Sequence, residues 1–160
     1  SGMKELGLYV CTNDIWTRTI ENSKKHIYTW SYIDEFHLLL EDRRTTVVLK
    51  RIWKMFRKWG GCPCGIMQNT EDLMRDEDTR NIVNNTSMFI MMNAPLMDRQ
   101  NLAELLGLSD SQLDYITNAP QGTGLFRMKN LIVPFEWEFP KDTEIYRLIT
   151  TKREKGAAFA

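Results

Sequence analysis

Along the chain, short runs of β-branched and aromatic residues alternate with segments whose apolar positions recur every three or four residues. Ile15, Trp16 and Ile20 stand at helical spacing and predict a polar helix over residues 14–25. Residues 27–33, IYTWSYI, predict a strand that runs directly into Asp34-Glu35. In residues 45–59, Val48, Ile52, Met55, Phe56 and Trp59 form an apolar stripe, and Lys50, Arg51, Lys54, Arg57 and Lys58 occupy much of the rest. That pattern is a basic amphipathic helix, stopped by Gly60-Gly61. A short strand follows at 64–67, ending at Gln68-Asn69, and Thr70 begins a helical turn whose Glu71 and Asp72 suit its N-terminal dipole.

The second half continues the alternation. A helix is expected over 76–84, a buried strand over 87–92 (SMFIMM), and two helices over 96–106 and 109–117 separated by Gly107. Ser109, with Gln112 three residues on, is placed to cap the second of these. Residues 124–128 and 131–135, joined by Lys129-Asn130, read as a β-hairpin, and a last helix is expected over 142–150 after Pro140. Strands separated by helices call for crossover connections, so the expected class is α/β with a mainly parallel sheet flanked by helices, the hairpin extending or edging it. In such sheets functional residues gather beyond the carboxyl ends of the strands, where Asp34-Glu35 and Gln68 fall.

Composition narrows the picture. With 160 residues, 42% hydrophobic and without an internal repeat, the chain supports one ordinary core and a single domain, expected over residues 3–151. Residues 1–2 read as a tag remnant and 152–160 as a disordered tail. Twenty-one basic residues balance 21 acidic ones, so no global field recruits nucleic acid, and any DNA contact has to be local. Cys62 and Cys64 lie one residue apart, closer than the usual zinc or redox spacing, and His26 and His37 stand alone, so the three cysteines read as reduced thiols. No apolar run approaches the roughly 20 residues that span a bilayer.

An apolar strand ending in Asp-Glu has the Walker B form. One acid at the strand tip helps hold magnesium beside a triphosphate, and a second positions the attacking water. The same letters also make an ordinary acidic helix start. Gln68, at the next strand tip, suits a γ-phosphate sensor or equally a cap for the turn at Thr70. Arg57 suits an arginine finger reaching across a subunit interface, or simply a cation favoured at a helix C-terminus.

The order of segments carries more than any one of them: IDEFHLLL, RIWKMFRKWGG, GIMQNTEDL, TRNIVNNTS, then NLAELLGLSDSQLDYI and QGTGLFRMKNLIVPFE. From about residue 13 to 151 this order resembles the C-terminal motor segment of the conjugative-transfer ATPases of type IV secretion systems, the TraC/TraE class related to HerA–FtsK pumps, in the branch found on conjugative transposons. The resemblance implies a RecA-like P-loop NTPase fragment. It implies Asp34 as the magnesium carboxylate, Glu35 as the catalytic acid, Gln68 as the sensor and Arg57 as the finger. Arg80 matches a further recurrent arginine for phosphate or interface contact. Gln121, Gly122 and Gly124 match a glycine-containing turn before the last strands, with tight turning the plainer use and nucleotide-edge contact the other.

The same resemblance implies Mg and ATP as cofactors of the full-length protein, a homo-hexamer, partnership with a type IV coupling protein and membrane channel components, and a cytoplasmic place at the inner face of the membrane. The Walker A loop, GxxxxGK[ST], occurs nowhere in these 160 residues, and its place would be upstream. The fragment alone is therefore expected to bind no nucleotide usefully and to be inactive, and a missing strand and helix would favour self-association. Two other classes stay open: a non-enzymatic α/β interaction module of the transfer machinery, and a DNA binder using residues 50–58 with Trp53 and Trp59 interleaved.

Overall fold

The computed structural model describes residues 2–150. Residue 1 of the expected tag remnant, the last expected domain residue at 151, and the expected tail at 152–160 lie outside the described residues. Gly2 opens helix α1, Gly2–Lys24, which begins well before the expected residue 14. The early turns hide in the sequence because threonines hold part of the inward stripe. Thr12 and Thr19 are buried in line with Leu8, Ile15 and Trp16. Their hydroxyls donate back to the carbonyls of Leu8 and Tyr9 (3.1 and 2.8 Å) and of Ile15 (2.8 Å), so no polar group is stranded.

His26, with φ 57°, turns the chain into strand β1, Thr29–Ile33. A short helix α2, His37–Leu40, leads to α3, Arg43–Met55, which Asp42 caps by accepting the Arg44 N–H at 2.7 Å. Helix α3 buries Thr45, Leu49 and Ile52, and the 3₁₀ turn Phe56–Trp59 continues the stripe with Phe56. Gly60 then ends the run in the left-handed region, φ 66°. These side chains meet Phe36, Leu39, Leu40 and Ile82 in the first core cluster, with Trp16 and Trp53 packed against it.

Strand β2 is Gly61–Gly65, three residues earlier than the expected 64–67. It pairs in parallel with β1, Thr29 opposite Gly61 through Ile33 opposite Gly65. Gly-Cys-Pro-Cys-Gly lacks strand-forming side chains, but the packing requires its glycines. A Cβ on Gly61 would sit 2.7 Å from Phe56 and 2.8 Å from Thr19, and one on Gly65 would sit 2.8 Å from Phe36. Thr29 N–H bonds to Gly60 C=O, and Ile66 N–H to Ile33 C=O, so even-numbered residues of this stretch face β1. Pro63 therefore lies toward the other edge, where its missing N–H breaks no bond of the pair. One face of the pair packs on α1 and α3, and the other exposes Trp30 stacked on Tyr32, centroids 6.3 Å apart.

Helices α4, Glu71–Met74, and α5, Glu77–Asn84, lead to β3, Met88–Met91. After α6, Leu96–Leu106, α7, Asp110–Leu113, and a 3₁₀ turn, Asp114–Ile116, come β4, Thr123–Met128, and β5, Leu131–Glu136. Helix α8, Glu144–Ile149, ends the described chain. The expected mainly parallel sheet is not what forms. β1 and β2 make a two-stranded parallel sheet, and β3-β4-β5 make a separate antiparallel one. The tight turn at Lys129, φ 55°, folds β5 back on β4. The β4 backbone then approaches β3 so closely that a Cβ on Gly124 would lie 2.1 Å from the Met91 carbonyl oxygen. The hairpin does extend a strand, but that strand is β3. A second core of Val83, Met91, Leu102, Leu106, Ile116 and Leu125 fills the space beneath it, and Leu73 touches both cores. The class is mixed α/β.

Two measurements check this packing. Gly61→Ala is expected to destabilise the chain by about 1–3 kcal/mol, because neither Phe56 nor Thr19 has room to retreat. Gly7→Ala, where an added Cβ meets nothing within 4 Å on helix α1, is expected to gain roughly 0.5–1 kcal/mol in the same urea titration. The caps give a pH dependence. Hydrogen bonds from the Arg44 side chain and backbone hold the Asp42 carboxyl at about 2 against an ordinary 3.8, and the Thr79 N–H lowers that of Asp76. A depressed folded pKa stabilises above the ordinary value and is lost below it. The urea midpoint is thus expected to fall as pH drops from about 4 toward 2, and to fall less in Asp42→Asn plus Asp76→Asn.

Candidate active site

The two acids after β1 occupy a loop with fixed ends. Ile66 donates its N–H to Ile33 C=O at 2.8 Å, and its own C=O accepts Phe36 N–H at 2.8 Å. Asp34 and Glu35 are the two residues between those bonds, so one residue of the neighbouring chain segment brackets the acidic pair. Phe36 secures the far side: it is buried, packs on Trp53 with centroids 4.9 Å apart, and lies over Gly65. The excursion is tight enough that Glu35 takes φ 48°, a left-handed conformation that costs a non-glycine residue about 1–2 kcal/mol. Asp34 Oδ1 accepts the Glu35 N–H at 2.9 Å and offsets part of that cost.

Gln68 reaches across from the end of β2. Its Nε2 donates to Glu35 Oε1 at 3.1 Å, joining residues 33 positions apart at the carboxyl ends of the two parallel strands. The segment behind Gln68 is anchored as well: buried Asp98 of α6 accepts both the Thr70 N–H and the Thr70 hydroxyl at 2.7 Å. Asp98 was not singled out from sequence, where it reads as an ordinary acid in a helix's first turn. His37 was also missed. It begins α2, and its Nδ1 lies 3.3 Å from Glu35 Oε2. Its place two residues beyond Glu35 was the available signal.

The other expected residues do not join this group. Arg57 is exposed in the 3₁₀ turn before β2, at the opposite end of the strand from Gln68. Arg80 is exposed on α5, with no ion pair to Asp34 or Glu35. Gln121, Gly122 and Gly124 belong to the β4–β5 end of the fold. There the Gly122 carbonyl accepts Trp137 N–H at 2.8 Å, and φ at Gly122 is 87°. Gly122 and Gly124 thus have a sufficient backbone reason to be glycine. A cleft beside them, lined by Tyr115, Asn118, Pro120, Gly124, Pro134 and Glu136, shares no residue with the Asp34–Gln68 group.

The basic helix is largely committed to the fold. Lys50 pairs with Asp78 of α5, the Arg51 guanidinium stacks 4.2 Å over Trp16, and Trp53 packs on Phe36. Lys54, Arg57 and Lys58 are left exposed at its C-terminal end. In β2, partial burial and then the Cys64 thiol push the Cys62 thiol up, which keeps it protonated and a poor nucleophile. Among the described residues no three His, Cys, Asp or Glu side chains gather to hold a metal ion. One exposed carboxylate at a strand tip, Asp34, does suit magnesium, an ion that takes one or two protein carboxylates and fills its other positions with water and phosphate. No helix of the described residues is long and apolar enough to cross a membrane.

No family model matches the sequence, and no curated protein does. Among solved structures, VirB4 of Thermoanaerobacter pseudethanolicus is similar over 71% of this chain, with 24% sequence identity and a TM-score of 0.63. The chain spans 32% of that VirB4 chain, about a third of its length. Over the matched part of the chain the fold is similar to that of part of this VirB4.

Proposed function

We propose that the chain is a motor-domain segment of a type IV secretion ATPase serving conjugative DNA transfer, with Asp34-Glu35 as its Walker B pair. The observation that carries this reading is the Gln68–Glu35 hydrogen bond, 3.1 Å, at the carboxyl ends of two parallel strands in a chain that shares its fold with part of VirB4. In this reading Asp34 holds magnesium, which when bound neutralises phosphate charge. Glu35 orients a water toward the γ-phosphate, and Gln68 links that carboxylate to the phosphate's presence. Arg57 acts on a neighbouring subunit of a hexameric ring, and Arg80 contacts phosphate or an interface. A coupling protein, channel components and a site at the inner membrane face complete the proposal for the whole protein.

ATP needs a phosphate cradle of backbone N–H groups and a lysine, and these 160 residues contain no GxxxxGK[ST] to supply it. The chain alone is expected to release no phosphate from Mg-ATP above buffer. Joined to a domain carrying that loop, it is expected to hydrolyse ATP, and Glu35→Gln to lower kcat roughly 10²–10⁴-fold. Undiminished turnover in Glu35→Gln would end the assignment of Glu35.

The nucleic-acid reading of the basic helix receives little support from its packing, since Lys50, Arg51 and Trp53 are already engaged. Labelled single-stranded DNA is expected to show no anisotropy change with the chain at about 150 mM salt. A salt-dependent rise abolished by Lys54→Ala plus Lys58→Ala would restore the DNA reading.

A further inference from the structure

We infer that His37 is a positioning residue for Glu35, holding the second carboxylate oxygen while Gln68 holds the first. The contact stands on geometry alone, and only its catalytic consequence rests on the motor reading. Glu35 Oε1 accepts Gln68 Nε2 at 3.1 Å, and Oε2 lies 3.3 Å from His37 Nδ1. That nitrogen is buried and has no hydrogen-bond partner in its present orientation, although the rest of the ring is partly exposed. At 3.3 Å the separation is within hydrogen-bond reach, so turning the imidazole to aim an Nδ1–H at Oε2 completes the bond. If Nδ1 carried a lone pair instead, a buried nitrogen would face an anionic oxygen 3.3 Å away, too close for a water to fit between them. The neutral ring therefore keeps its proton on Nδ1, with Nε2 as the acceptor-bearing nitrogen.

Position along the chain makes this arrangement stiff. The left-handed Glu35 throws its side chain back toward the first turn of α2, where His37 stands. Leu39 and Leu40, two and three residues further on, are buried in the first core, so α2 cannot drift away from the carboxylate. The two tethers come from different elements, the end of β2 and the start of α2. When the Gln68 amide turns to another acceptor, such as a phosphate oxygen, His37 keeps the carboxylate from swinging into solvent. A water held by Glu35 then keeps its orientation through the exchange.

The experiment reads the ring directly. The chain has two histidines, so His26→Gln assigns the spectrum of His37. Long-range ¹H–¹⁵N NMR of the 160-residue chain is expected to show the neutral His37 ring mainly as the Nδ1–H tautomer. In Glu35→Gly, which removes the carboxylate at a backbone angle that glycine adopts freely, the population is expected to shift to Nε2–H. In Gln68→Ala it is expected to stay. A mainly Nε2–H ring in the unaltered chain, or a tautomer indifferent to Glu35→Gly, overturns the inference.

A second arm uses the protein joined to its phosphate-binding loop. There His37→Phe is expected to lower kcat roughly ten- to a hundred-fold with KM little changed. His37→Asn, whose amide can place an N–H near the position of Nδ1, is expected to recover most of the loss. Equal defects in the two variants overturn the positioning role. If the joined protein hydrolyses no ATP at all, the motor reading fails, while the tautomer result still decides the His37–Glu35 contact.

Discussion

One residue's backbone organises the acidic end of this molecule. Ile66 gives its N–H to Ile33 and receives the N–H of Phe36, so the β1–β2 ladder skips Asp34 and Glu35 and resumes beyond them. Each bond is worth only about 1 kcal/mol net, yet together they hold two polar residues outside the ladder. Burial of Phe36 against Trp53 and Gly65 supplies the larger share of what holds the loop closed. The left-handed Glu35 follows from this closure. A relaxed loop would leave its carboxylate free, whereas the closed one delivers it to the amide of Gln68.

The same closure explains why β2 has so unpromising a sequence. The strand passes over Phe56 at one end and Phe36 at the other, at separations that no Cβ allows, so glycine stands at both positions. Pro63 between them faces the edge away from β1 and does no harm there. Strand propensity is given up for close approach, and the aromatic contacts that this approach permits return more than the propensity would have. Helix α3 depends on the same contacts from below, because Phe56 and Trp53 extend the stripe that Leu49 and Ile52 begin. Its charged face serves the fold too, through Lys50–Asp78 and through Arg51 lying on Trp16.

How much of this the letters carried depended on whether a local rule or a distant contact was in charge. Helix α6 and the hairpin were legible because Gly107 and Lys129 end the one and turn the other locally. Helix α5, expected over 76–84, is likewise held by a local device, the Asp76–Thr79 capping box. The start of α1 was not, since Thr12 looks polar in a list yet sits in the buried stripe once its hydroxyl bonds backward. The position of β2 was missed because its reason lies in Phe36, 29 residues before Gly65, and no periodicity encodes that. The strand order failed likewise: alternation of strands and helices argues for a parallel sheet, but the pairing of β3 with β4 is chosen by the hairpin and by Gly124, far down the chain. At the site, Asp34, Glu35 and Gln68 were legible as strand-end residues. His37 stands alone in the sequence, and its proximity to Glu35 comes from a backbone angle that no letter announces.

The parallel pair also acts as a ruler. The five residues of β2, four steps of about 3.3 Å, separate its two ends by roughly 13 Å. Gln68 and the acids lie beyond the carboxyl end, and Arg57, Lys58 and the C-terminus of the basic helix lie at the amino end. Arg57 thus stands at the end of the pair away from the Glu35 of its own chain. Under the motor reading, Arg57 suits an arrangement in which the amino end of this pair in one copy meets the carboxyl end in another. Contact between unlike surfaces of identical subunits closes into a ring when the rotation allows. The polarity of two short strands thus sets Arg57 at the end opposite the acids, the placement that the proposed contact between subunits calls for.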